Sequence, residues 1–241
     1  MKSTVVKYGV CHRIRELLTY LVAIIINIKN PHPIRVAIDG VDASGKTTLA
    51  DRLAEELKQY KRIVVRTSID GFHNPKSIRY RKGRNSPEGY YCDSFDNQAI
   101  IDNLLKPLSP NGNLLYRTRI FDFKTDTKVI SPLQKANEDT ILLMDGVFLF
   151  RPELADYWDL KIFLDVDFKI TVQRASKRDG YYLGTTQEII EKYYQRYVPG
   201  QKLYFADAKP KEQADIIIDN SNFDKPIITK VLKPALRNRV S

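Results

Sequence analysis

The chain has 241 residues, 43% of them hydrophobic, which is enough to build a sizeable buried core. No low-complexity tract, glycine- and serine-rich linker or internal repeat divides it, so the composition excludes a disordered or repeat protein and favours a single domain over residues 1–241. The formal net charge of +10 predicts an anionic ligand or partner, but it does not separate a nucleotide from a nucleic acid or a membrane surface.

The first predicted element is a helix within residues 1–32. The apolar run from Leu17 to Ile28 has helical spacing, and we expect it to pack on the domain. A membrane segment is the alternative, but about 18 or more apolar residues are needed to span a bilayer, and Thr19 and Asn27 interrupt this run. No small-residue cleavage site of a signal peptide follows. We therefore expect no membrane role.

A phosphate-binding loop follows at residues 40–47, where Gly-Val-Asp-Ala-Ser-Gly-Lys-Thr matches G-x-x-x-x-G-K-[ST] at every position. A β-branched run at 34–38 predicts a strand before it, and leucines at helical spacing predict a helix after it. A chance glycine turn is the alternative, and both flanks argue against it. In such a loop, backbone N–H groups point into one concavity, Lys46 reaches the β- and γ-phosphates, and the Thr47 hydroxyl is offered to Mg²⁺. The predicted nucleotide-binding residues are Gly40, Asp42, Ala43, Ser44, Gly45, Lys46, Thr47 and Thr48.

The second predicted strand, at 62–68, leads into Asp70-Gly-Phe-His73. Loops that follow parallel strands gather at one edge of the sheet, so we expect Asp70 to face the same crevice as the phosphate-binding loop. A carboxylate there can accept the proton of an attacking hydroxyl; the alternative is that Asp70 caps a turn before Gly71. His73 is a candidate substrate contact, although a lone histidine is more often a structural group.

Residues 79–96 are polar, aromatic and basic, and their apolar residues follow neither the helical nor the strand period, so they predict one long loop. Its mixture of arginine and tyrosine would also suit nucleic-acid binding. A helix is predicted at 97–106, ending before Pro107, and a strand at 114–123. We expect that strand to deliver five side chains to the cleft, namely Tyr116, Arg117, Arg119, Phe121 and Asp122.

Residues 140–145, Thr-Ile-Leu-Leu-Met-Asp, predict a hydrophobic strand that ends in a carboxylate. Downstream of a phosphate-binding loop this is the form of a Walker B element, so Asp145 and Thr47 are the predicted Mg²⁺ ligands. A further strand is expected at 160–165, followed by a helix that begins near Asp167.

That helix carries Arg174 and Arg178 on one face, because they are four residues apart, and Asp179-Gly180 should end it. Two arginines beside a glycine hinge are typical of a lid that folds over ATP and stabilises the transferring phosphoryl group. We place this lid at 174–187. A solvated basic face is the alternative.

The remaining elements are a helix at 188–197, which carries Arg196, and a late strand at 214–219. The tail at 222–241 has no acidic residue after Asp224 and predicts a basic helix or a frayed end. The two cysteines, Cys11 and Cys92, lack metal-ligand spacing, so we expect reduced thiols in a cytoplasmic protein.

In this order the motifs resemble those of the uridine kinase branch of P-loop kinases, whose relatives include pantothenate kinase and nicotinamide riboside kinase. The likeness covers about residues 33–220. It rests on the phosphate-binding loop, Asp70-Gly-Phe-His73, Asp145-Gly146, the arginine-bearing segment 174–179, and the segments 193–199 and 214–218.

The resemblance implies an α/β fold of the P-loop NTPase type, a three-layer α/β/α domain with a mainly parallel central sheet and a small lid. It implies ATP and Mg²⁺, and a small-molecule alcohol as acceptor. Uridine or cytidine is the leading acceptor, with pantothenate and nicotinamide riboside as alternatives. It makes Asp70 the base, and the other expected catalytic residues are Lys46, Arg174 and Arg178.

The sequence departs from that family at the substrate site. Uridine kinases read Tyr-Asp-Phe-x-x-His where this chain reads Phe-Asp-Phe-Lys-Thr-Asp at 121–126, and His73 replaces a tyrosine. The lid also lacks a later Arg-Gly-Arg element, and residues 82–88 are similar to a loop of pantothenate kinase. The candidate substrate-binding residues are His73, Tyr116, Arg117, Phe121, Asp126 and Arg196.

A second hypothesis, of another class, is a nucleic-acid-binding protein that uses the phosphate-binding loop as a nucleotide sensor. It rests on the charge of +10 and on the arginine- and tyrosine-rich stretch at 79–96. We disfavour it, because ATP and a phosphorylated product are a sufficient reason for the charge. A homo-oligomer stays open.

Overall fold

The computed structural model describes residues 14–179 and 185–232. The strands are β1 Ile34–Gly40, β2 Val64–Ser68, β3 Leu115–Tyr116, β4 Phe121–Asp122, β5 Thr127–Lys128, β6 Gln134–Lys135, β7 Ile141–Gly146, β8 Leu160–Asp165, β9 Ile216–Asp219 and β10 Ile227–Val231. The α-helices are α1 Ile14–Ile26, α2 Lys46–Lys58, α3 Lys76–Arg79, α4 Pro87–Asp93, α5 Asn97–Ile100, α6 Pro152–Ala155, α7 Phe168–Asp179, α8 Thr186–Lys192, α9 Val198–Ala208 and α10 Pro210–Gln213. A 3₁₀ helix spans Ile69–Phe72, and π-helical turns span Ile101–Leu105 and Tyr193–Tyr197.

Six of these strands form one sheet in the order β10-β9-β8-β1-β7-β2. All neighbouring pairs are parallel except β9 and the edge strand β10, which are antiparallel. The register sets Asp145 of β7 opposite Ile38 on one side and Ser68 on the other. The loops after β1 and β2 therefore meet the end of β7 at one edge of the sheet, which is where ligands bind in sheets of this type.

Each face of the sheet carries its own hydrophobic core, because alternate residues of a strand point to opposite faces. Val36 and Ile38 of β1 pack with α1 and α2, whereas Ala37 packs on the other face with residues of α4, α6 and α9. A smaller third cluster joins α7 and α8. The predicted three-layer α/β/α fold with a mainly parallel sheet is confirmed.

The predicted N-terminal helix is present as α1, and its buried face packs in the same core as α2. Within the ranges given above, no helix is long and apolar enough to cross a membrane. Cys92 is an exposed free thiol, and Cys11 lies outside the described residues.

The prediction of one long loop at residues 79–96 is wrong, because α4 lies within it. The signals for this helix were local: Ser86 is its N-cap, accepting a hydrogen bond from Gly89 N at 3.0 Å, and Pro87 stands in its first turn. Serine followed by proline and glutamate is typical of a helix start, and a helix of 7 residues is too short to show an apolar period.

The predicted strand at 114–123 is also corrected. The chain forms two short strands there, β3 and β4, which pair with β6 and β5 in two separate two-stranded sheets. Leu114 has a left-handed φ of 64°, so the backbone is not extended throughout this segment.

The C-terminal elements are longer than predicted. The helix expected at 188–197 continues through a π-helical turn into α9. Residues 227–231, expected as part of a basic helix or frayed end, form the antiparallel edge strand β10. Residues 233–241 lie outside the described part of the chain.

Candidate active site

The phosphate-binding loop connects β1 to the N-terminus of α2, as its flanks predicted. Gly45 has φ +96° and lies directly under residues 220–223, so a Cβ there would come within 2.6 Å of both Asn220 and Phe223. A side chain at this position would be strained and would collide. Lys46 donates a hydrogen bond to the Val41 carbonyl at 2.8 Å, so its ammonium is held over the loop, at the helix N-terminus where a phosphate would be bound.

Two carboxylates of the loop are held by α4 and α9. Asp42 accepts hydrogen bonds from the Tyr90 hydroxyl at 2.6 Å and from Gln201 Nε2 at 3.1 Å. Asp39 is fully buried and accepts hydrogen bonds from the Tyr204 hydroxyl and, at 2.6 Å, from Gly40 N. Burial raises the pKa of Asp39 to about 6, although the hydrogen bond from Tyr204 opposes this. Helix α9 thus holds one carboxylate at the end of β1 and one in the first half of the loop.

The predicted Mg²⁺ ligands are adjacent. The Thr47 hydroxyl donates to Asp145 Oδ2 at 2.6 Å. Asp145 Oδ1 is buried and accepts no well-aligned hydrogen bond from any residue the structure describes. Two hard oxygen donors, Thr47 Oγ1 and Asp145 Oδ2, lie here together with Asp145 Oδ1, whose contact with Arg66 Nη1 at 2.7 Å is an ion pair without hydrogen-bond alignment. Next to a site for nucleotide phosphates, these oxygens fit a Mg²⁺ ion that keeps several waters and takes its remaining ligands from the phosphates.

Asp70 lies in the 3₁₀ helix directly after β2, at the same sheet edge as the Mg²⁺ ligands. The alternative that it caps a turn is not supported, because the cap of this helix is Ser68, whose hydroxyl accepts a hydrogen bond from Asp70 N at 3.4 Å. The next residue, Gly71, must be glycine because a Cβ there would lie 2.7 Å from Arg119 Cβ. The Asp70 carboxylate is 58% exposed and faces the crevice.

The pKa of Asp70 is raised to about 6. Desolvation within the crevice is the largest cause, since protein surrounds the carboxylate even where solvent reaches it, and repulsion from Asp145 and Asp42 adds to it. The positive charges of Lys46 and Arg178 oppose the rise. A carboxyl with a pKa near neutrality is suited to accept a proton from a hydroxyl and to release it again.

We expect a kinase reaction at this site to lose rate as the pH falls through about 6, because Asp70 acts as a base only when deprotonated. Asp42→Asn removes one of the negative charges that raise this pKa, so the acidic limb of the kcat/KM profile should move to lower pH. The pH dependence of ADP formation measures it, with the melting temperature of the variant as the control. A limb that does not move, or that moves to higher pH, would contradict this electrostatic coupling.

His73, a candidate substrate residue, lies beside Asp70, with Nδ1 4.0 Å from Asp70 Oδ1. Its ring packs between Phe95 and Phe123, with centroids 4.5 and 5.0 Å away. Burial lowers the pKa of His73 to about 4, so the ring is neutral at physiological pH. Nδ1 donates to the Asp70 carbonyl at 3.0 Å, which leaves Nε2 as a hydrogen-bond acceptor.

Arg174 binds the loop after β9 rather than reaching Asp70. Its Nη2 donates to the carbonyls of Asn220 and Ser221 at 3.0 and 2.8 Å, and its guanidinium stacks 3.7 Å above the Phe223 ring. Asn220 in turn donates to the Ser44 carbonyl of the phosphate-binding loop at 2.7 Å. Arg174 therefore braces the loop that covers the nucleotide site.

Arg178, the other expected lid arginine, lies one turn further along α7, and its charge acts on Asp70. Residues 180–184 of the predicted lid lie outside the described residues. The helix that follows them begins with a capping box between Thr185 and Glu188.

Four candidate substrate residues are engaged in holding neighbouring loops. Tyr116 is buried and donates to Gln134 at 2.9 Å, and Arg117 donates to the Ser131 carbonyl at 3.1 Å. Phe121 is buried in β4. Asp126 accepts from Arg79 Nη2 and from Lys76 N, both at 3.0 Å, and despite desolvation these contacts lower its pKa. Tyr116, Arg117 and Asp126 are thus bound within the protein, whereas β4, which carries Phe121, packs against the 3₁₀ helix of Asp70.

Arg196, the remaining candidate substrate residue, makes structural contacts within the protein. It is 2% exposed, and its guanidinium donates to the carbonyls of Arg79, Gly83, Arg84 and Ser86. These four carbonyls all belong to the segment from the end of α3 to the N-cap of α4. In the sequence, an arginine among the aromatic residues of a predicted helix fits substrate binding and structural support equally well.

The sequence reasoning missed four residues that shape the site: Arg66, Tyr90, Phe95 and Gln201. A charged residue inside the apolar strand β2 was a readable signal for Arg66. The other three have no local signal, because Tyr90 and Gln201 reach the site through the packing of α4 and α9, and Phe95 reaches it through its β-bridge with His73.

Comparison with known proteins agrees with this geometry. A family model described as the phosphoribulokinase / uridine kinase family matches residues 35–225. Uridine-cytidine kinase B of Dictyostelium discoideum is 29% identical over 189 residues, which cover 78% of this chain and 74% of that protein. The chloroplastic uridine/cytidine kinase UKL1 of Arabidopsis thaliana is 26% identical over 194 residues, which cover 78% of this chain but only 38% of that longer protein.

A solved structure described as a possible uridine kinase from Bacillus stearothermophilus superimposes with a TM-score of 0.68 at 23% identity, covering 85% of this chain and 98% of that one. At that identity the likeness shows the fold alone. The family model spans most of the chain, from β1 to the residues after β9, and includes the phosphate-binding loop, Asp70 and Asp145. The chain therefore belongs to the phosphoribulokinase / uridine kinase family of P-loop kinases.

Proposed function

We propose that this protein transfers the γ-phosphoryl group of ATP to a hydroxyl of a small molecule, with uridine or cytidine as the leading acceptor and the 5′-monophosphate as product. The named kinases of uridine and cytidine among its relatives support this acceptor. The proposal includes Mg²⁺ as the metal, nucleoside salvage as the role and the cytoplasm as the compartment.

The observation that carries the proposal is the position of Asp70. An exposed carboxylate with a pKa raised to about 6 lies at the same sheet edge as Lys46 and the Thr47–Asp145 pair, and both Lys46 and Asp145 are close enough to influence its charge. A nucleotide sensor needs the loop and the metal ligands only. A base opposite the phosphates is needed when a hydroxyl must attack them.

In the proposed reaction each residue of the chain has a separate task. The backbone N–H groups of the loop and Lys46 bind the phosphates, and Thr47 and Asp145 would hold Mg²⁺, which when bound neutralises charge on the β- and γ-phosphates. Asp70 orients the acceptor hydroxyl and takes its proton. Arg178 adds positive charge on the lid side. Positioning and electrostatic stabilisation supply most of the catalysis in reactions of this type.

The acceptor site is proposed to lie beside His73 and the rings of Phe95 and Phe123. A neutral imidazole with a free acceptor nitrogen between two aromatic rings suits a planar, hydrogen-bonding group such as a pyrimidine base. The histidine that uridine kinases carry near residue 126 is absent here, and Asp126 pairs with Arg79 instead. This chain would thus have to recognise the base with other residues than those kinases use.

The experiment that tests the proposal measures ADP release from Mg·ATP with uridine, cytidine, pantothenate and nicotinamide riboside in turn. We expect release with uridine or cytidine and a background rate with ATP alone. ADP release with pantothenate or nicotinamide riboside only would support phosphoryl transfer to an alcohol but reject uridine and cytidine as the acceptors. Failure with all four would reject this class of acceptor.

The nucleic-acid-binding alternative predicts DNA or RNA binding that weakens steeply as salt is raised. Part of the basic stretch that suggested it is already engaged within the protein: Arg81 pairs with Asp93, Lys82 pairs with Glu88, and Arg79 pairs with Asp126. These pairs reduce the positive charge that the stretch presents to a polyanion, which supports the kinase proposal.

A further inference from the structure

Arg66 places a positive charge against the expected metal ligand. It lies in the edge strand β2, and its side chain is 21% exposed. Its Nη1 lies 2.7 Å from Asp145 Oδ1, and its Nε donates to Asp51 Oδ1 at 2.8 Å. One guanidinium thus connects the carboxylate of β7 to a carboxylate of α2.

The fold brings these groups together for simple reasons. Strand β2 lies next to β7 with Ser68 opposite Asp145, and Arg66 lies on the same face of β2 as Ser68 because they are two residues apart. On α2, Thr47 and Asp51 are four residues apart and share one face of the helix. The Arg66 side chain therefore contacts Asp51 on the face of α2 that also presents Thr47 to Asp145.

We propose that Arg66 is a positioning residue that competes with the divalent cation for Asp145 and thereby sets the affinity of the site for the metal–nucleotide complex. Asp51 is the carboxylate that retains Arg66 when the metal takes Asp145. The inference rests on the proposed function, because it assumes that Thr47 and Asp145 hold the metal of a bound nucleotide.

The geometry favours competition over simple support. The contact between Arg66 and Asp145 Oδ1 is short, yet it is not a well-aligned hydrogen bond, so Oδ1 stays without a regular donor. A guanidinium a few ångströms from a divalent cation repels it, and in a nearly buried site this repulsion is only weakly screened. Asp51 is 60% exposed and already holds Nε, so a small movement of the guanidinium keeps one of its two ion pairs.

The test measures metal binding without turnover. Mn²⁺ is titrated into the full-length protein with saturating ADP, and the bound fraction is followed by electron paramagnetic resonance. Removing the cation in Arg66→Gln should tighten Mn²⁺ binding about tenfold, whereas removing its second partner in Asp51→Asn should weaken Mn²⁺ binding several-fold, roughly by the Coulomb energy of one nearby charge. Arg62→Gln is the matched control. Arg62 directly precedes β2, at the end of the strand away from Asp145, where it donates to the Asp139 carbonyl.

Arg66→Gln and Asp51→Asn are expected to change the Mn²⁺ affinity in opposite directions, which makes the outcome decisive. Unchanged or weaker Mn²⁺ binding in Arg66→Gln, with Arg62→Gln like the wild type, would overturn the competition and leave Arg66 a mere support of Asp145. An equal change in Arg62→Gln would overturn it as well, because the effect would then follow the net charge. A wild-type protein that binds no Mn²⁺ with ADP would instead reject the proposed function and the inference with it.

Discussion

Replacing Asp70 with asparagine should lower kcat by a factor of roughly 10² to 10⁴, the usual contribution of a positioned general base. Asparagine keeps the shape of the side chain and loses its capacity to take a proton. ATP affinity should change by less than about threefold, because the loop, Lys46 and the Thr47–Asp145 pair that bind the phosphates are untouched. Single-turnover formation of ADP and calorimetric titration with a non-hydrolysable ATP analogue measure the two effects separately.

The matched control for this variant is Asp139→Asn, an exposed aspartate at the opposite edge of the sheet, which should leave turnover at the wild-type rate. The variant should also lose the acidic limb near pH 6, because the group that titrates there has been removed. Turnover that persists at the wild-type rate in Asp70→Asn would remove Asp70 from the mechanism. A loss of ATP affinity equal to the loss of rate would assign Asp70 to nucleotide binding.

Arg196→Met should reduce the free energy of unfolding by about 3 kcal/mol, because it leaves buried backbone carbonyls without their charged donor. The guanidinium serves four carbonyls between Arg79 and Ser86 and stacks on Tyr80, 4.8 Å from its ring centroid. Methionine fills much of the same volume, so the loss reports the hydrogen bonds more than the packing. Urea unfolding followed by circular dichroism measures it.

Two controls separate this structural role from the substrate role that the sequence suggested. Arg84→Met makes the same change on an exposed side chain of the same segment and should shift stability by less than about 0.5 kcal/mol. Arg196→Lys retains the charge but not the fork of donors, so it should recover only part of the stability. An Arg196→Met protein of unchanged stability with a raised KM for the acceptor would restore the arginine to the substrate site.

Much of the fold was readable because its signals are local. The apolar runs of β1, β7 and β8, the phosphate-binding loop between β1 and α2, and the helical spacing of α1 and α2 can each be recognised from a short stretch of chain. The misread segments had weaker local signals, such as the cap of α4. The β-branched residues of β10 favour a strand, but they lie in a short segment of a tail whose basic charge dominated the prediction, and the pairing with β9 is a tertiary contact.

The sequence by itself determined the phosphate-binding loop and was sufficient to propose Thr47 and Asp145 as metal ligands and Asp70 as the base. Order along the chain was sufficient for this, because the loops after neighbouring parallel strands must meet at one sheet edge, and Asp70, Asp145 and Lys46 follow or end such strands. Only the tertiary structure decided which arginines serve the site. An arginine is long enough to reach a phosphate, a carbonyl or a carboxylate, and packing alone assigned Arg196 to the carbonyls beside α4 and Arg66 to the carboxylate of Asp145.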